Sequence, residues 1–229
     1  MITRGNDKLG PNVWGWSIPA KKSCPGASVA CLELCYGLTG RFRMPNVIEA
    51  HRRNYKISKS KDFAAWMTGV IHDNCVQVLR VHVVGDYYNP EYVKKWQQIV
   101  RANRQTKFYA YTRSWTEEGL QEPLITLGQE RNFRMWFSYD CTMSVPPKPR
   151  GIRRCYLSSS DSDLPPPRKA DLIFRDDQTT VLKRTEDGCL ICPYDNGATP
   201  TTCSKCKLCW NTKSGPKPKP KTKKALARA

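Results

Sequence analysis

Two groups of cysteines carry the residue types and spacing best suited to chemistry. In SCPGASVACLELCYG, Cys24, Cys31 and Cys35 are spaced C-x6-C-x3-C. In GCLICPYDNGATPTTCSKCKLCW, Cys189 and Cys192 precede the run Cys203, Cys206, Cys209. A C-x2-C-x2-C run grips corners of a [4Fe–4S] cluster in bacterial ferredoxins, where a further cysteine stands before a proline. Cys192-Pro193 and Cys24-Pro25 both offer such a fourth thiolate. Zinc is the alternative metal, because four thiolates satisfy it tetrahedrally. Its sites come more often as two separated CxxC pairs, which favours iron–sulfur.

The N-terminal group carries a different signal. Three thiolates on one loop leave one iron of a cubane without a protein ligand. Open coordination distinguishes a catalytic metal from a structural one. The expected metal ligands are Cys24, Cys31, Cys35, Cys192, Cys203, Cys206 and Cys209. The competing reading gathers these thiols around one closed, stabilising site. Cys75, Cys141 and Cys155 stand alone and read as core.

Four other side chains are candidates for catalysis. Asp86, Asp140 and His82 have the chemistry to move protons. Strict alternation along VQVLRVHVVGD puts His82 on one face with Arg80, Val84 and Asp86. A histidine in an apolar strand also reads as a satisfied core residue. Arg113 suits bidentate binding of a carboxylate or phosphate, or a salt bridge to Asp86.

These residues need elements to position them. Residues 76–86, 106–115 and 133–140 read as strands rich in β-branched and aromatic side chains. Residues 170–177 and 179–188 read as further strands. NPEYVKKWQQIVRAN reads as a helix, with Asn89 as N-cap, Pro90 at N1 and Tyr92, Val93, Trp96, Ile99 and Val100 on its apolar face. Residues 117–128, MPNVIEAHRRNYKIS and KDFAAWMTGVIHDNC read as helices too. Strand and helix alternating at intervals of about 25–30 residues imply βα units and a parallel sheet. The 229-residue chain is short for a full eight-fold barrel, so an open or partial barrel fits better. In such folds chemistry sits at the carboxyl ends of the strands, where Gly85, Asp86, Thr112, Arg113, Ser138, Tyr139, Asp140 and Cys141 fall.

Composition narrows the classes. A hydrophobic share of 39% supports a core, and no apolar run is long enough for a signal peptide or membrane span. The expected location is the cytoplasm. An odd count of 11 cysteines in a reducing compartment reads as metal ligands before disulfides. The net charge of +18 points to polyanionic partners. Six of those charges lie in SGPKPKPKTKKALARA, which reads as a disordered basic tail able to touch nucleic acid weakly. The domain reading is residues 1–187 as the α/β unit with its cysteine loop, 188–212 as a cluster-binding segment packed on it, and 213–229 as tail.

SCPGASVACLELCYG, VHVVGDYYNPEY, YAYTRSW and the final CxxCxxCW, in that order, resemble the phage "gene product 88" family, described as radical-SAM-like. The resemblance covers most of residues 12–210. It implies a phage or prophage origin, a radical-SAM-like partial TIM barrel and an iron–sulfur cluster. By position it places Gly85 and Asp86 where such enzymes present a strand end to S-adenosylmethionine. C-x6-C-x3-C departs from the C-x3-C-x2-C usual in those enzymes.

Three functions follow. The first is hydrolysis, for example of an ester, with an open cluster iron as Lewis acid. The second is radical chemistry with S-adenosylmethionine. The third is a nucleic-acid-binding protein with structural clusters, its basic surface interleaved with Trp14, Trp16, Trp66, Trp96 and Trp115.

Overall fold

Strands built from large apolar side chains on alternate faces must be covered on both sides. The computed structural model shows how this chain does it. It describes residues 1–160, 162–166, 168–176, 180–198 and 201–211. The elements run β1 (Thr3–Arg4), β2 (Trp14–Trp16), α1 (Val29–Glu33), α2 (Pro45–Lys59), α3 (Phe63–Asp73), β3 (Val78–Val81), α4 (Pro90–Ala102), β4 (Lys107–Thr112), α5 (Gln121–Gly128), β5 (Phe133–Tyr139), β6 (Ile152–Ser158), β7 (Leu172–Arg175), β8 (Leu190–Ile191) and α6 (Cys203–Cys206). The strands form one eight-stranded sheet in sequential order, β1 to β8. β1 is antiparallel to β2, and every pair from β2 to β8 is parallel.

The sheet is open. β1 and β8 are its two ends, so the sheet does not close, in line with the open arrangement expected in place of a full barrel. Closure needs strands long enough to tilt and stagger into register. Here each end strand is only two residues long.

One face is packed by helices. Leu79, Val81, Phe108, Ala110, Phe133, Met135 and Phe137 meet Phe63, Met67 and Ile71 of α3, Trp96 and Ile99 of α4, and Leu124 and Leu127 of α5. The opposite face carries Val78, Tyr109, Trp136, Cys155 and Leu172, covered by Leu9, Val13, Cys192, Cys209 and Trp210. The cysteine-rich segment is therefore the second cover of the sheet.

The expected α4 is present in detail. The Asn89 side chain accepts the Tyr92 N–H at 2.8 Å, Pro90 opens the helix, and all five apolar residues are buried. The strand expected over 179–188 is absent among its described residues. They form turns with one antiparallel bridge from Arg184 to Leu190. β6 takes the expected extra strand's place in the sheet. The basic tail, residues 213–229, lies outside the described residues. Among the described residues, no helix is long and apolar enough to cross a membrane.

Candidate functional site

The carboxyl ends of β3, β4 and β5 converge on the loop that carries Cys24, Cys31 and Cys35. Gly85, just past β3, has φ +89, the left-handed region that favours glycine. A Cβ there would lie 2.4 Å from Ile18 Cγ1 and 2.8 Å from Ser23 Oγ. The backbone can thus press against the start of the cysteine loop, and Asp86 N–H donates to Ser23 O at 3.2 Å. Gly26 serves the same close approach one step along. A Cβ on it would stand 2.2 Å from Arg113 O.

Asp86 is buried, and its oxygens accept the N–H groups of Tyr87 at 2.7 Å and Arg113 at 2.8 Å. Burial pushes its pKa up, against the pull of Thr112 and those two N–H groups. It ties the end of β3 to the end of β4. The Arg113 guanidinium turns instead to Asp140, past β5, in a buried ion pair. Asp140 Oδ2 also accepts the Ser28 hydroxyl, and Oδ1 accepts Thr142 N–H at 2.9 Å and its hydroxyl at 2.6 Å. Ser28 in turn caps α1 by accepting the Cys31 N–H at 3.0 Å. One hydrogen-bonded chain runs from β4 through Arg113, Asp140 and Ser28 to Cys31.

The thiols respond to this setting. Burial pushes the Cys24 thiol up to about 12, helped by Asp86, Cys31 and Cys35. Burial also raises Cys31, against Arg113, with Cys35, Asp86 and Asp140 adding to the rise. Three partly buried thiols thus share one neighbourhood with Asp86, Arg113 and Asp140. Both shifts favour the protonated thiols at neutral pH, so any metal ligated there would have to displace those protons. Beside this group lies a cavity of about 300 Å³ lined by Tyr139, Asp140, Cys141, Met143, Tyr156 and Asp163 among others.

The C-terminal cysteines gather elsewhere. Alternation along β8 sends Cys189 to the helix side, where its thiol donates to Ala170 O at 3.3 Å, and Cys192 to the other face. There Cys192, Cys203, Cys206 and Cys209 line one cleft with Tyr194 and Trp210. Burial pushes Cys192 up to about 12 and raises Cys203 and Cys209. The two Cys-Pro steps are thereby sorted: Cys192 joins the C-terminal run, and Cys24 joins Cys31 and Cys35. The two groups lie at different places on the sheet, so one closed site shared by all the thiols is not formed. Among the described residues, no group of three or more His, Cys, Asp or Glu side chains is drawn together around a single-ion position.

Other expectations are corrected. His82 does not share a face with Arg80. β3 ends at Val81, the Val81–His82 peptide is cis, and the imidazole enters the helix-side core against Tyr87, Tyr92 and Trp96. Its Nε2 pairs with the Tyr92 hydroxyl at 2.8 Å, and burial, then Arg80, lowers its pKa to about 3. It is a neutral core residue. The Arg113–Asp86 salt bridge is replaced by Arg113–Asp140. Trp16, Trp96 and Trp115 are buried, and Trp14 and Trp66 partly so, which removes the expected stacking surface. Cys155 is core, but Cys75 and Cys141 are exposed.

Arg80 was not singled out by residue type or spacing. It stands between the two thiol groups, on the face opposite the helices. Its guanidinium donates to Tyr36 Oη, one residue beyond Cys35, at 3.1 Å, lies 5.2 Å from the Tyr111 ring centre, and interacts electrostatically with Cys203. A charged residue inside the buried run VLRV was the signal that marked it.

A family model described as "Gene product 88" matches residues 1–212. Two curated relatives, the Gene 88 proteins of Mycobacterium phages L5 and D29, are each 26% identical over 132 residues, covering 52% of this chain and 52% of their own length. The chain thus spans about half the length of the curated relatives it matches. No solved structure matches.

Proposed function

For a chain that belongs to the gene product 88 family, we propose an iron–sulfur enzyme working at the carboxyl edge of its parallel sheet. The observation that carries this reading is the meeting of Cys24, Cys31 and Cys35 with Asp86, Arg113 and Asp140. Parallel sheets bind ligands at this edge. Three soft thiolates on one short loop suit a [4Fe–4S] cluster with one corner free of protein. When bound, such a cluster supplies an iron able to polarise a substrate carbonyl, which serves hydrolysis of a small ester.

The chain's own residues then take defined parts. Gly85 and Gly26 let the loop approach the strand ends. Asp86 fixes β3 to β4, and Arg113, Asp140 and Ser28 hold the helix that presents Cys31. Asp86 and Asp140 are positioning residues, since their oxygens are already engaged. The adjacent cavity receives the substrate. The Tyr139 hydroxyl at its wall has no hydrogen-bond partner among the described residues, and burial keeps it protonated.

One observation favours a second reading, radical chemistry with S-adenosylmethionine. The thiol loop follows β2 directly, and Gly85 stands beside it at the end of β3, the placement the radical-SAM resemblance implies.

The test begins with iron, acid-labile sulfide and the Mössbauer spectrum of anaerobically purified protein. A cluster with one distinguishable iron, lost on replacing Cys31 by serine, is the expected result. Hydrolysis of activated esters that ends when the cluster is stripped supports the first chemistry. Cleavage of S-adenosylmethionine by the reduced protein supports the second. Zinc without sulfide refutes both.

A further inference from the structure

We propose that the outer face of α2, with the turn before it, binds single-stranded nucleic acid, its cations on the phosphates and the Tyr36 ring against a base. The proposal is independent of any cluster. It uses neither the basic tail nor the tryptophans, which pack in the core.

The first observation is where the charge lies. Residues 21–61 hold nine Lys and Arg against two Glu and no Asp. All nine cations are exposed. The helix explains how they gather. Asn54 and Ser58 are buried on its inner side, and Tyr55 and Ile57 pack against the core. Arg52, Arg53, Lys56 and Lys59 are left on the outer side. At 1.5 Å per residue the helix makes this face about 20 Å long. Flanking loops widen it. Phe42, in the turn Gly40–Arg43, meets His51 with ring centres 6.1 Å apart, which brings Arg41 and Arg43 alongside. Lys22 and Lys59 approach one Tyr55 ring, at 5.7 and 4.3 Å from its centre.

These charges are poorly neutralised by the protein itself. Glu49 lies 3.9 Å from Arg52 and Asp7 3.8 Å from Arg41, both pairs open to water. Exposed pairs of this kind are weak. Arg43, Arg53, Lys56 and Lys59 have no carboxylate partner among the described residues. A second copy of the chain would bring the same cations and be repelled. A lipid surface needs an apolar helix face to bury, and α2 turns its apolar side inward. A phosphate backbone fits, because fixed cations along its path release its condensed counterions.

The second observation is a row of rings beside the cations. Tyr36, Phe42 and His51 follow one another with ring centres 5.8 and 6.1 Å apart. Tyr36 is 49% exposed, yet its hydroxyl is anchored by donating to Val83 O. Exposed and fixed, the ring loses little freedom when a base stacks on it. Rings among arginines bind unpaired bases. The paired bases of a duplex are not free to stack, so the ring row selects a single strand. Tyr36 follows Cys35 directly, and a bound strand therefore lies beside the thiol loop.

The experiment uses the full chain and fluorescence anisotropy. The probe is a labelled oligothymidine of about 20 nucleotides, titrated at salt from about 50 to 200 mM. Replacing Arg52, Arg53, Lys56 and Lys59 together by Gln is expected to lower the slope of log affinity against log salt by about 3, at about 0.7 per phosphate contact. Arg41→Gln with Arg43→Gln, on a separate element, is expected to lower it by about 1.4. Circular dichroism melts confirm that these exposed substitutions leave the fold intact. Tyr36→Leu is expected to weaken binding about tenfold at every salt concentration, and Tyr36→Phe to keep it. An oligouridine of the same length tells RNA from DNA, and binding of either supports the proposal. A duplex bound as tightly as the single strand overturns it. So does an unchanged slope in the α2 variant, a Tyr36→Leu protein as tight as wild type, or binding that depends only on Lys217, Lys219, Lys221, Lys223 and Lys224. Binding to vesicles of anionic lipid and to no oligonucleotide overturns it in favour of a membrane surface.

Discussion

Asp140→Asn is the most exacting perturbation of this architecture. Asp140 is 1% exposed and Arg113 5%, so their ion pair is dry. Each carboxylate oxygen meets two donors: Oδ2 the Arg113 guanidinium and Ser28 hydroxyl, Oδ1 the Thr142 N–H and hydroxyl. Asparagine keeps the shape but must aim its NH2 at one of these donor pairs. It also leaves a buried guanidinium without its counter-charge. Breaking one partner of such a pair costs about 3–5 kcal/mol. Urea unfolding at pH 7, followed by near-ultraviolet circular dichroism, measures it. Arg113→Met should cost a similar amount, and the double variant less than the sum. The pH dependence adds a second check. Burial raises the Asp140 pKa, but Ser28, Thr142 and Arg113 outweigh it and hold the carboxyl below its ordinary value. The contribution is therefore complete above the unfolded pKa, about 3.9, and is lost as pH falls through the lower folded value. The variant lacks that acid transition. A loss under about 1 kcal/mol, or fully additive single losses, would show that the pair does not organise the loop.

Three further outcomes are expected. Gly26→Ala forces a methyl to 2.2 Å from Arg113 O, so thermal melts should show a loss of about 1–3 kcal/mol, together with lower iron content. His82, with its pKa lowered to about 3, contributes stability that is complete above pH 6.5 and falls by about 1.4 kcal/mol per unit as pH drops toward 3; His82→Gln should flatten that slope in urea titrations. Cys189→Ser should leave cluster content unchanged while Cys192→Ser lowers it, because the two point to opposite faces of the sheet.

The local signals that succeeded were those with a single physical reading. Asn89-Pro90 ahead of Tyr92, Val93 and Trp96 admits little but a capped amphipathic helix, and α4 is that helix. FRMWFSYD is too apolar on both faces for anything but a covered strand, and β5 spans Phe133–Tyr139. His82 misled because alternation holds only while the strand lasts, and β3 stops at Val81. β6 escaped notice because IRRCYLS carries two arginines where a buried strand is expected to be apolar. The two cysteine groups were visible by spacing, but their partition was not. It depends on which face of β8 each cysteine takes, a matter of pairing register with β7. Arg113–Asp140 depends likewise on two strand ends lying side by side.

The second cover of the sheet has a consequence for how the protein is made. Cys203 N–H donates to Lys8 O at 2.8 Å and Ser204 N–H to Leu9 O at 2.9 Å, so residues from opposite parts of the chain are stitched together over that face. Synthesis is vectorial, from the N-terminus onward. All eight strands leave the ribosome before Cys203 does. Until then Tyr109, Trp136 and Leu172 lie on a wet, adhesive surface. The nascent chain passes through a stage with a finished helical side and a naked reverse. Residues 203–210 are the ones that end this exposure to aggregation.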